Sequence, residues 1–304
     1  MILTNNKKIA LNVNGTTFVK DTNIHRYNGN REVIAVVCSR ALASKLLSID
    51  LPNLKLVQLT SAGFEGINIE AYKNKGISIS NAADIYSVGM AEFVVYSMLQ
   101  SAKRYNVSPK NHRIRIMRNY KYITELAEKN VVILGVGSIG GEVAKRLSAF
   151  DMNIVGFAHH TKQKVFFNSI VNSMVELKPL LYTADYIIST LPDTKETENL
   201  IDADFLSNLN SHVTIVNVGR RKVLNERDLY RFLKETKGAT AILDMFEKLP
   251  NPLTNPFHRL HNVIVLPGVT AVSQEIDKKL CLLVQRNLEA LYNDGKIENI
   301  IDNG

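Results

Sequence analysis

Three glycines at a fixed spacing form the first candidate site in this sequence. Gly135, Gly137 and Gly140 give the pattern GxGxxG, after an apolar run and at the start of a segment with helical spacing. In that setting the first glycine permits a tight turn, the second lets the backbone approach a pyrophosphate, and the third lets helix and strand pack closely. Amide N–H groups at the helix start, near Ser138 and Ile139, would face the phosphates. The pattern predicts a dinucleotide-binding loop; the alternative is an ordinary glycine-rich turn.

The residues that follow the next predicted strand bear on which dinucleotide is bound. NAD-specific sites usually carry Asp or Glu about 20 residues after the glycines, yet no carboxylate lies between Asn153 and Val175. Polar and basic groups occupy this stretch instead and could pair with a 2′-phosphate, which a carboxylate would repel: His159, His160, Thr161, Lys162 and Lys164. We therefore expect NADP to be preferred over NAD. In the alternative interpretation these are solvated loop residues, and either cofactor binds.

The elements that must position these groups alternate along the chain. Predicted strands cover residues 8–13, 33–39, 54–63, 77–81, 131–134, 153–160, 186–192, 213–219, 239–246 and 263–268. Predicted helices cover 41–49, 66–76, about 87–104, the segment after the glycines, and 273 to about 292. Strands that alternate with helices imply parallel pairing and a doubly wound α/β fold.

Composition limits the remaining function classes. The chain has 304 residues, enough for about two domains, a formal net charge of +8, seven His and only two Cys. The two Cys are far apart, which argues against a disulfide scaffold or a zinc site, so we expect no metal and a reduced cytoplasmic location. No apolar stretch approaches the roughly 18–20 residues of a membrane span. Residues 103–121 carry seven Lys or Arg and no acid; a connector or subunit contact is favoured there over a nucleic-acid patch.

Several motifs in a fixed order make the sequence resemble the D-isomer-specific 2-hydroxyacid dehydrogenases. They are LTSAGFEGIN (59–68), YSVGMAE (86–92), GVGSIG (135–140), STLPDTKETENLI (189–201), NVGR (217–220), LDMFEKLPNPL (243–253) and NVIVLPG (262–268). The resemblance implies a Rossmann-type NAD(P)-binding domain, residues 99–272, inserted into a flavodoxin-like substrate domain. The substrate domain would comprise 1–98 and 273–304, with the active site in the cleft. It also implies a homodimer.

The resemblance further implies hydride transfer between a nicotinamide and C2 of a small 2-keto or 2-hydroxy acid. Arg220 matches the Arg that binds the substrate carboxylate, and Ala62 and Gly63 match the backbone that contacts substrate. Asp244 matches the position that contacts the nicotinamide. Further cofactor contacts are implied at Leu191, Pro192 and Val218.

Two catalytic positions of the family hold other residues here. The Glu that normally supports a catalytic His is replaced by Leu249, and the His itself by Gly268. None of the seven His is well placed to substitute, and Tyr86 is a weak candidate, since a phenol with a pKa near 10 is a poor base at pH 7 but can act as an acid. The family's Gly after Arg220 is Arg221, which is either a second positive group for a more anionic substrate or a surface residue.

Two hypotheses remain open from the sequence. The first is an oxidoreductase with altered proton handling. Since general acid–base help is worth typically 10²–10⁴-fold, its turnover of simple keto acids would be weak. The second is a catalytically degenerate protein that senses NADP(H) or a carboxylate ligand. Nucleic-acid and membrane partners are not expected.

Overall fold

The computed structural model describes residues 1–103, 123–159, 164–244 and 255–301. The chain divides into two compact units, one made of Met1–Tyr86 with Val272–Gly304 and the other of Ser87–Ala271. The sequence analysis placed the boundaries at residues 98 and 273. The basic segment, apart from Lys103, lies outside the described residues, and so do His160, Thr161, Lys162 and Leu249.

The first unit contains a five-stranded parallel sheet in the order β2-β1-β3-β4-β5. Its strands are β1 (Ile2–Thr4), β2 (Thr16–Phe18), β3 (Ala35–Cys38), β4 (Leu56–Leu59) and β5 (Ser78–Ser80). Its helices are α1 (Lys7–Asn12), α2 (Arg40–Leu46), α3 (Ile69–Asn74), the first turn of α4 (Ala83–Ala102), and the last helix, Ile276–Tyr292, with a 3₁₀ segment at Asp21–Tyr27. Every residue of β1, β3 and β4 is buried, which explains their nearly continuous apolar sequences.

The predicted strand over residues 8–13 is wrong, because these residues belong to helix α1. The Asn6 side chain accepts hydrogen bonds from the amides of Lys8 and Ile9 and so caps the helix, and Ile9 alone among its residues is buried. The sequence analysis also missed strand β1, the apolar run Ile2–Thr4 just before that cap, and strand β2, Thr16–Phe18. Six residues are too short for periodicity to separate a strand from a capped helix.

The second unit contains a seven-stranded parallel sheet in the order β12-β11-β10-β9-β6-β7-β8. Its strands are β6 (Asn130–Leu134), β7 (Asn153–Phe157), β8 (Ser169–Val171), β9 (Tyr186–Ser189), β10 (Thr214–Asn217), β11 (Thr240–Leu243) and β12 (Val263–Val265). Its helices are the rest of α4, α5 (Ser138–Leu147), α6 (Met174–Thr183), α7 (Ala203–Ser207) and α8 (Glu226–Glu235), with 3₁₀ segments at Ser148–Phe150, Arg221–Val223 and Pro256–Arg259. The last helix of the chain, Ile276–Tyr292, is α9.

Each unit has its own apolar core. In the second unit the core side chains include Leu134, Ile187 and Ile215 from three neighbouring strands, packed with Leu229 and Leu233 of α8. Strand order reverses beside β6, where β7 and β9 lie on opposite sides. Ligands of open α/β sheets bind at the carboxyl ends of the strands at such a reversal. No helix among the described residues is long and apolar enough to cross a membrane.

Candidate active site

The glycine-rich loop, residues 135–140, joins β6 to α5 at the reversal of strand order. Gly135 has a φ of +99°, and a Cβ added there would lie 2.7 Å from Thr190 Oγ1. A Cβ added to Gly140 would lie 2.0 Å from the carbonyl oxygen of Gly135. Both positions therefore require glycine, the first for the turn and for its neighbour Thr190, and the second for close packing of helix and strand.

Gly137 differs from the other two glycines because open space surrounds it. Within the part of the chain that the structure describes, no atom lies within 4 Å of a Cβ added there, and Gly137 is the N-cap residue of α5, without a side chain to pair with the first amides. The first amides of a helix have no intrahelical partner and carry the positive end of the helix dipole. The loop thus provides an open, amide-rich position next to Ser138 and Ile139, which fits a pyrophosphate.

The end of β9 forms a second wall of this loop. Thr190 Oγ1 donates to the carbonyl oxygen of Gly135, at 2.9 Å, and Leu191 is buried. Gly219 is packed so closely that an added Cβ would lie 2.8 Å from the Leu191 carbonyl oxygen. Val218 is also buried and donates its amide to Ser189, whereas Pro192 is exposed. These contacts fix the predicted cofactor residues of β9 and β10 beside the glycine-rich loop.

Three charged or titratable side chains lie near the loop after β7. Lys164 donates to the carbonyl oxygen of Val136 and so extends back to the glycine-rich loop. His159 is exposed, and its ring centroid lies 6.4 Å from that of Phe157. The pKa of the Glu196 carboxyl is lowered by hydrogen bonds from its own backbone and from Thr194, and also by the charge of His159. The structure therefore places one carboxylate within electrostatic range of His159, although the sequence segment after β7 contains none.

Arg220 follows β10, at the carboxyl edge of the sheet. It lies directly after Gly219 and precedes the 3₁₀ turn Arg221–Val223. Lys222 and Val223 accept amide hydrogen bonds from Asn199 and Ile201, at 2.7 and 2.9 Å. This pairing fixes the backbone of the Arg220 segment to the segment that follows β9.

Asp244 is buried at the end of β11, and its carboxylate holds the segment that follows β12. One oxygen accepts the Val269 amide at 2.9 Å, and the other accepts the Thr270 amide at 3.0 Å and the Thr270 hydroxyl. Gly268, just before these residues, has a φ of +76°, and no atom of the described residues lies within 4 Å of a Cβ added to it. The carboxylate therefore sets the backbone after Gly268, and no described residue fills the space beside Gly268.

In the first unit, the loop after β4, residues 60–64, has paired carbonyls and three amides without an acceptor. No acceptor for the amide N–H of Ala62, Gly63 or Phe64 lies among the described residues. All five carbonyls of the loop accept hydrogen bonds: Thr60 from Tyr86 Oη (3.0 Å), Ser61 from the Ala82 amide (3.0 Å), Ala62 from Asn81 Nδ2 (2.8 Å), Gly63 from Ser61 Oγ (2.9 Å) and Phe64 from the Ile67 amide (3.2 Å). Backbone that directs successive amides outward forms an anion-binding concavity.

The 60–64 loop borders a cavity of about 560 Å³. Thr60 and Ser61 line it from the loop, together with the ion pair of Arg40 and Glu65, whose charged atoms are 2.7 Å apart. Tyr86 is partly buried, and burial followed by the charge of Asp277 raises the pKa of its phenol. Tyr86 therefore keeps its proton at neutral pH, and its hydroxyl donates a hydrogen bond to the carbonyl oxygen of Thr60.

Sequence reasoning missed Asn81 and Glu196. Asn81 precedes α4 and caps it, since its Oδ1 accepts the Ala83 amide at 3.2 Å; the Asn before the helix pattern was the available signal. Glu196 had no such signal, because only the return of the chain after β9 brings it near His159. No group of three or more potential metal ligands occurs among the described residues.

The fold and the glycine-rich loop define a dinucleotide-binding α/β protein with a Rossmann-type sheet. The family model of the D-isomer specific 2-hydroxyacid dehydrogenase NAD binding domain matches residues 94–269. The chain therefore belongs to the D-isomer specific 2-hydroxyacid dehydrogenase family.

Curated relatives agree with this assignment. The chain is 31% identical over 253 residues to a D-3-phosphoglycerate dehydrogenase of Methanocaldococcus jannaschii, an alignment that covers 82% of this chain and 48% of that protein. The chain thus spans about half the length of that relative. It is 30% identical over 247 residues to a glyoxylate reductase of Thermofilum pendens, covering 79% of this chain and 72% of the reductase.

Solved structures show the same fold. A probable 2-hydroxyacid dehydrogenase of Rhizobium etli, solved with NADP, HEPES and L(+)-tartaric acid, has a TM-score of 0.80 at 21% identity, covering 99% of this chain and 97% of the other. This agreement confirms the predicted fold class, a two-domain α/β protein with two parallel sheets.

Proposed function

We propose that this chain is an NAD(P)-dependent oxidoreductase acting on a small 2-keto or 2-hydroxy acid. The observation that carries the proposal is the glycine-rich loop, where Gly135 and Gly140 are sterically required and Gly137 faces open space at a helix start. A bound nicotinamide dinucleotide would supply the hydride. This chain's residues would bind and orient the two reactants, the dinucleotide through the loop and the walls at Leu191 and Val218.

NADP is the proposed cofactor, with NAD bound more weakly. Lys164 places a positive group beside the loop backbone, and His159 is exposed in the segment that follows β7. Either group could pair with a 2′-phosphate, as Thr161 and Lys162 could. The negative charge of Glu196 opposes this preference. The ratio of the NADPH and NADH affinities therefore measures whether the positive groups or Glu196 dominate.

Two elements are proposed to bind the substrate carboxylate. In the first unit, the amides of Ala62 and Gly63 have no acceptor among the described residues, which suits an anion. In the second unit, Arg220 has a guanidinium that can hold a carboxylate through two parallel hydrogen bonds and polarise an adjacent carbonyl. Arg221 is a further positive group for a substrate with a second anionic charge.

Proton transfer is proposed to be the weak step. Gly268 carries no side chain at the position where the family has a His, and Leu249 stands where the family has the supporting Glu. A carboxylate left without that His would be costly to bury, so the two replacements are physically consistent with one another. Reduction of simple keto acids should then be slow by the typical 10²–10⁴-fold contribution of general acid–base catalysis.

The test combines cofactor binding with turnover. NADPH and NADH are titrated by calorimetry, and the protein is then assayed with glyoxylate, hydroxypyruvate, pyruvate, and branched and aromatic 2-keto acids. Slow, saturable reduction with NADPH favoured over NADH supports the proposal. A smaller dissociation constant for NADH than for NADPH contradicts the cofactor preference, and binding of neither cofactor contradicts the proposed function.

A sensor of NADP(H) or of a carboxylate ligand is the second candidate. It is favoured by the open space at Gly268, since a binding protein has no need of an acid there. Tight NADPH binding with no turnover of any keto acid in the panel would establish it over the enzyme.

A further inference from the structure

The anion-binding loop, residues 60–64, depends on one side chain that is itself held by distant parts of the chain. Asn81 is 8% exposed, and each of its four polar groups is paired. Its Nδ2 donates to the Ala62 carbonyl (2.8 Å) and its Oδ1 accepts the Ala83 amide (3.2 Å). These two bonds connect the loop to the start of α4.

The backbone of Asn81 is held by the C-terminal part of the chain. Its amide donates to the carbonyl of Asn299 at 3.1 Å. Its carbonyl accepts Gln58 Nε2 at 3.2 Å, and Gln58 in turn accepts a bond of 2.7 Å from Asn287 of α9. Gln58 and Asn287 are each 1% exposed, so these bonds are made away from solvent, where a lost partner costs most.

The C-terminal segment, residues 298–301, adds to the edge of the five-stranded sheet next to Asn81. Ile300 forms an antiparallel bridge with Ser80, and the Ile301 amide donates to Ile79 at 2.9 Å. Ser80 Oγ donates to the Glu298 carbonyl at 2.7 Å. This pairing fixes the strand end from which Asn81 extends.

We propose that the C-terminal segment, residues 298–301, is a positioning element for the anion-binding loop and acts on it through Asn81. With the segment in place, Asn81 is fixed at its backbone and holds the Ala62 carbonyl, so the amides of Ala62, Gly63 and Phe64 face a carboxylate. Without it, the loop keeps its sequence but loses its fixed orientation. The inference rests on the proposed function, because it assigns the loop to the substrate carboxylate.

The first test deletes the residues through which the C-terminal segment contacts Asn81 and the sheet edge, and keeps the rest of the chain. Deletion of residues 299–304 removes the Asn299 carbonyl and the pairing of Ile300 and Ile301, and retains Glu298. Deletion of residues 302–304 is the matched control, because it leaves every described contact of the segment intact. Oxalate binding is measured by calorimetry at saturating NADPH, together with KM and kcat for glyoxylate. We expect the longer deletion to weaken oxalate binding and raise KM by about tenfold, the effect of one or two lost hydrogen bonds.

The second test acts on the side chain. Asn81→Ser retains a hydroxyl that can cap α4 and removes the amide that reaches Ala62. The matched control is Asn68→Ser, which makes the same change at the N-cap of α3. The Asn68 side chain accepts the Ala71 amide. Asn81→Ser should raise the oxalate dissociation constant and KM severalfold with kcat within twofold, and Asn81→Gln should partly restore the wild-type values.

The outcomes separate a positioning role from a structural one. A lower melting temperature with unchanged oxalate affinity and KM would overturn the inference, since the segment would then only stabilise the unit. If the wild-type chain binds NADPH but no oxalate and no glyoxylate, the loop is not a carboxylate site and the inference fails. If the wild-type chain does not bind NADPH, the proposed function is contradicted by a measurement that does not involve the 60–64 loop.

Discussion

Two glycines with left-handed backbones, Gly135 and Gly268, show opposite surroundings. A Cβ added to Gly135 would lie 2.7 Å from Thr190, whereas none of the described residues has an atom within 4 Å of a Cβ added to Gly268. The cofactor loop is therefore constrained both by its backbone and by its neighbours. The segment after β12 is constrained by the left-handed backbone of Gly268 and by the hydrogen bonds that Asp244 accepts. We therefore expect a side chain added to the glycine-rich loop to disrupt the loop. A side chain added at Gly268 should be tolerated well enough for its effect on activity to be measured.

The largest expected effect is at the cofactor loop. Gly140→Ala places a Cβ 2.0 Å from the Gly135 carbonyl oxygen, so β6 and α5 must separate. We expect loss of measurable NADPH binding by calorimetry and a marked fall in melting temperature. Gly141→Ala is the matched control, because no atom lies within 4 Å of its added Cβ and alanine favours a helix. Equal behaviour of the two variants would contradict the steric constraint.

The next largest effect is expected where an acid is reintroduced. Gly268→His combined with Leu249→Glu should raise kcat/KM for glyoxylate by about 10²-fold, because an imidazolium can donate the proton. The left-handed backbone at residue 268 costs a residue with a side chain about 1–2 kcal/mol, so stability should fall.

The control for this variant is Gly268→Ala with Leu249→Glu, which shares the backbone strain and lacks the imidazole. The gain should appear only in the His variant and should decline as pH rises and the imidazolium loses its proton. The same rate in both variants would show that the framework does not use an acid at residue 268.

A smaller effect is expected at Asp244, which holds the segment after Gly268. Asp244→Asn replaces one acceptor oxygen by an amide that faces N–H donors. Leaving buried donors unpaired costs about 1–3 kcal/mol, which thermal and urea unfolding would measure. Asp151→Asn, at an exposed position, is the control and should leave stability nearly unchanged. If both variants unfold alike, Asp244 does not hold this segment.

The smallest effect concerns cofactor choice. Glu196→Gln removes the negative charge near His159 and should increase the affinity for NADPH relative to NADH by about two- to fivefold, the range for exposed charge pairs. The gain should diminish at high salt, since exposed charges are screened. Glu198→Gln, two residues away and also exposed, is the control. An equal gain for both cofactors would place the 2′-phosphate away from Glu196.

The sequence predicted much of the fold because most elements are long or completely buried. The strands at 33–39, 153–160 and 213–219 were found, and the structure shortens them to Ala35–Cys38, Asn153–Phe157 and Thr214–Asn217. The wrong strand prediction at 8–13 falls where the periodicity of apolar residues is least informative. This segment is a six-residue helix whose start is fixed by the Asn6 cap. Strand β8 was missed because it is an edge strand with only partly buried residues.

By itself the sequence determined the family and the glycine-rich loop, since both depend on residue type and spacing along the chain. It also predicted a substrate-binding role for Arg220 and the replacement of two catalytic residues by Leu249 and Gly268. Only the tertiary structure decided which groups meet. It placed Glu196 within electrostatic range of His159, directed Asp244 to residues 269 and 270, and joined the C-terminal segment to Asn81. The physical reason is that parallel strands bring their ends together in sheet order, which differs from chain order, so contacts between distant segments leave no local pattern.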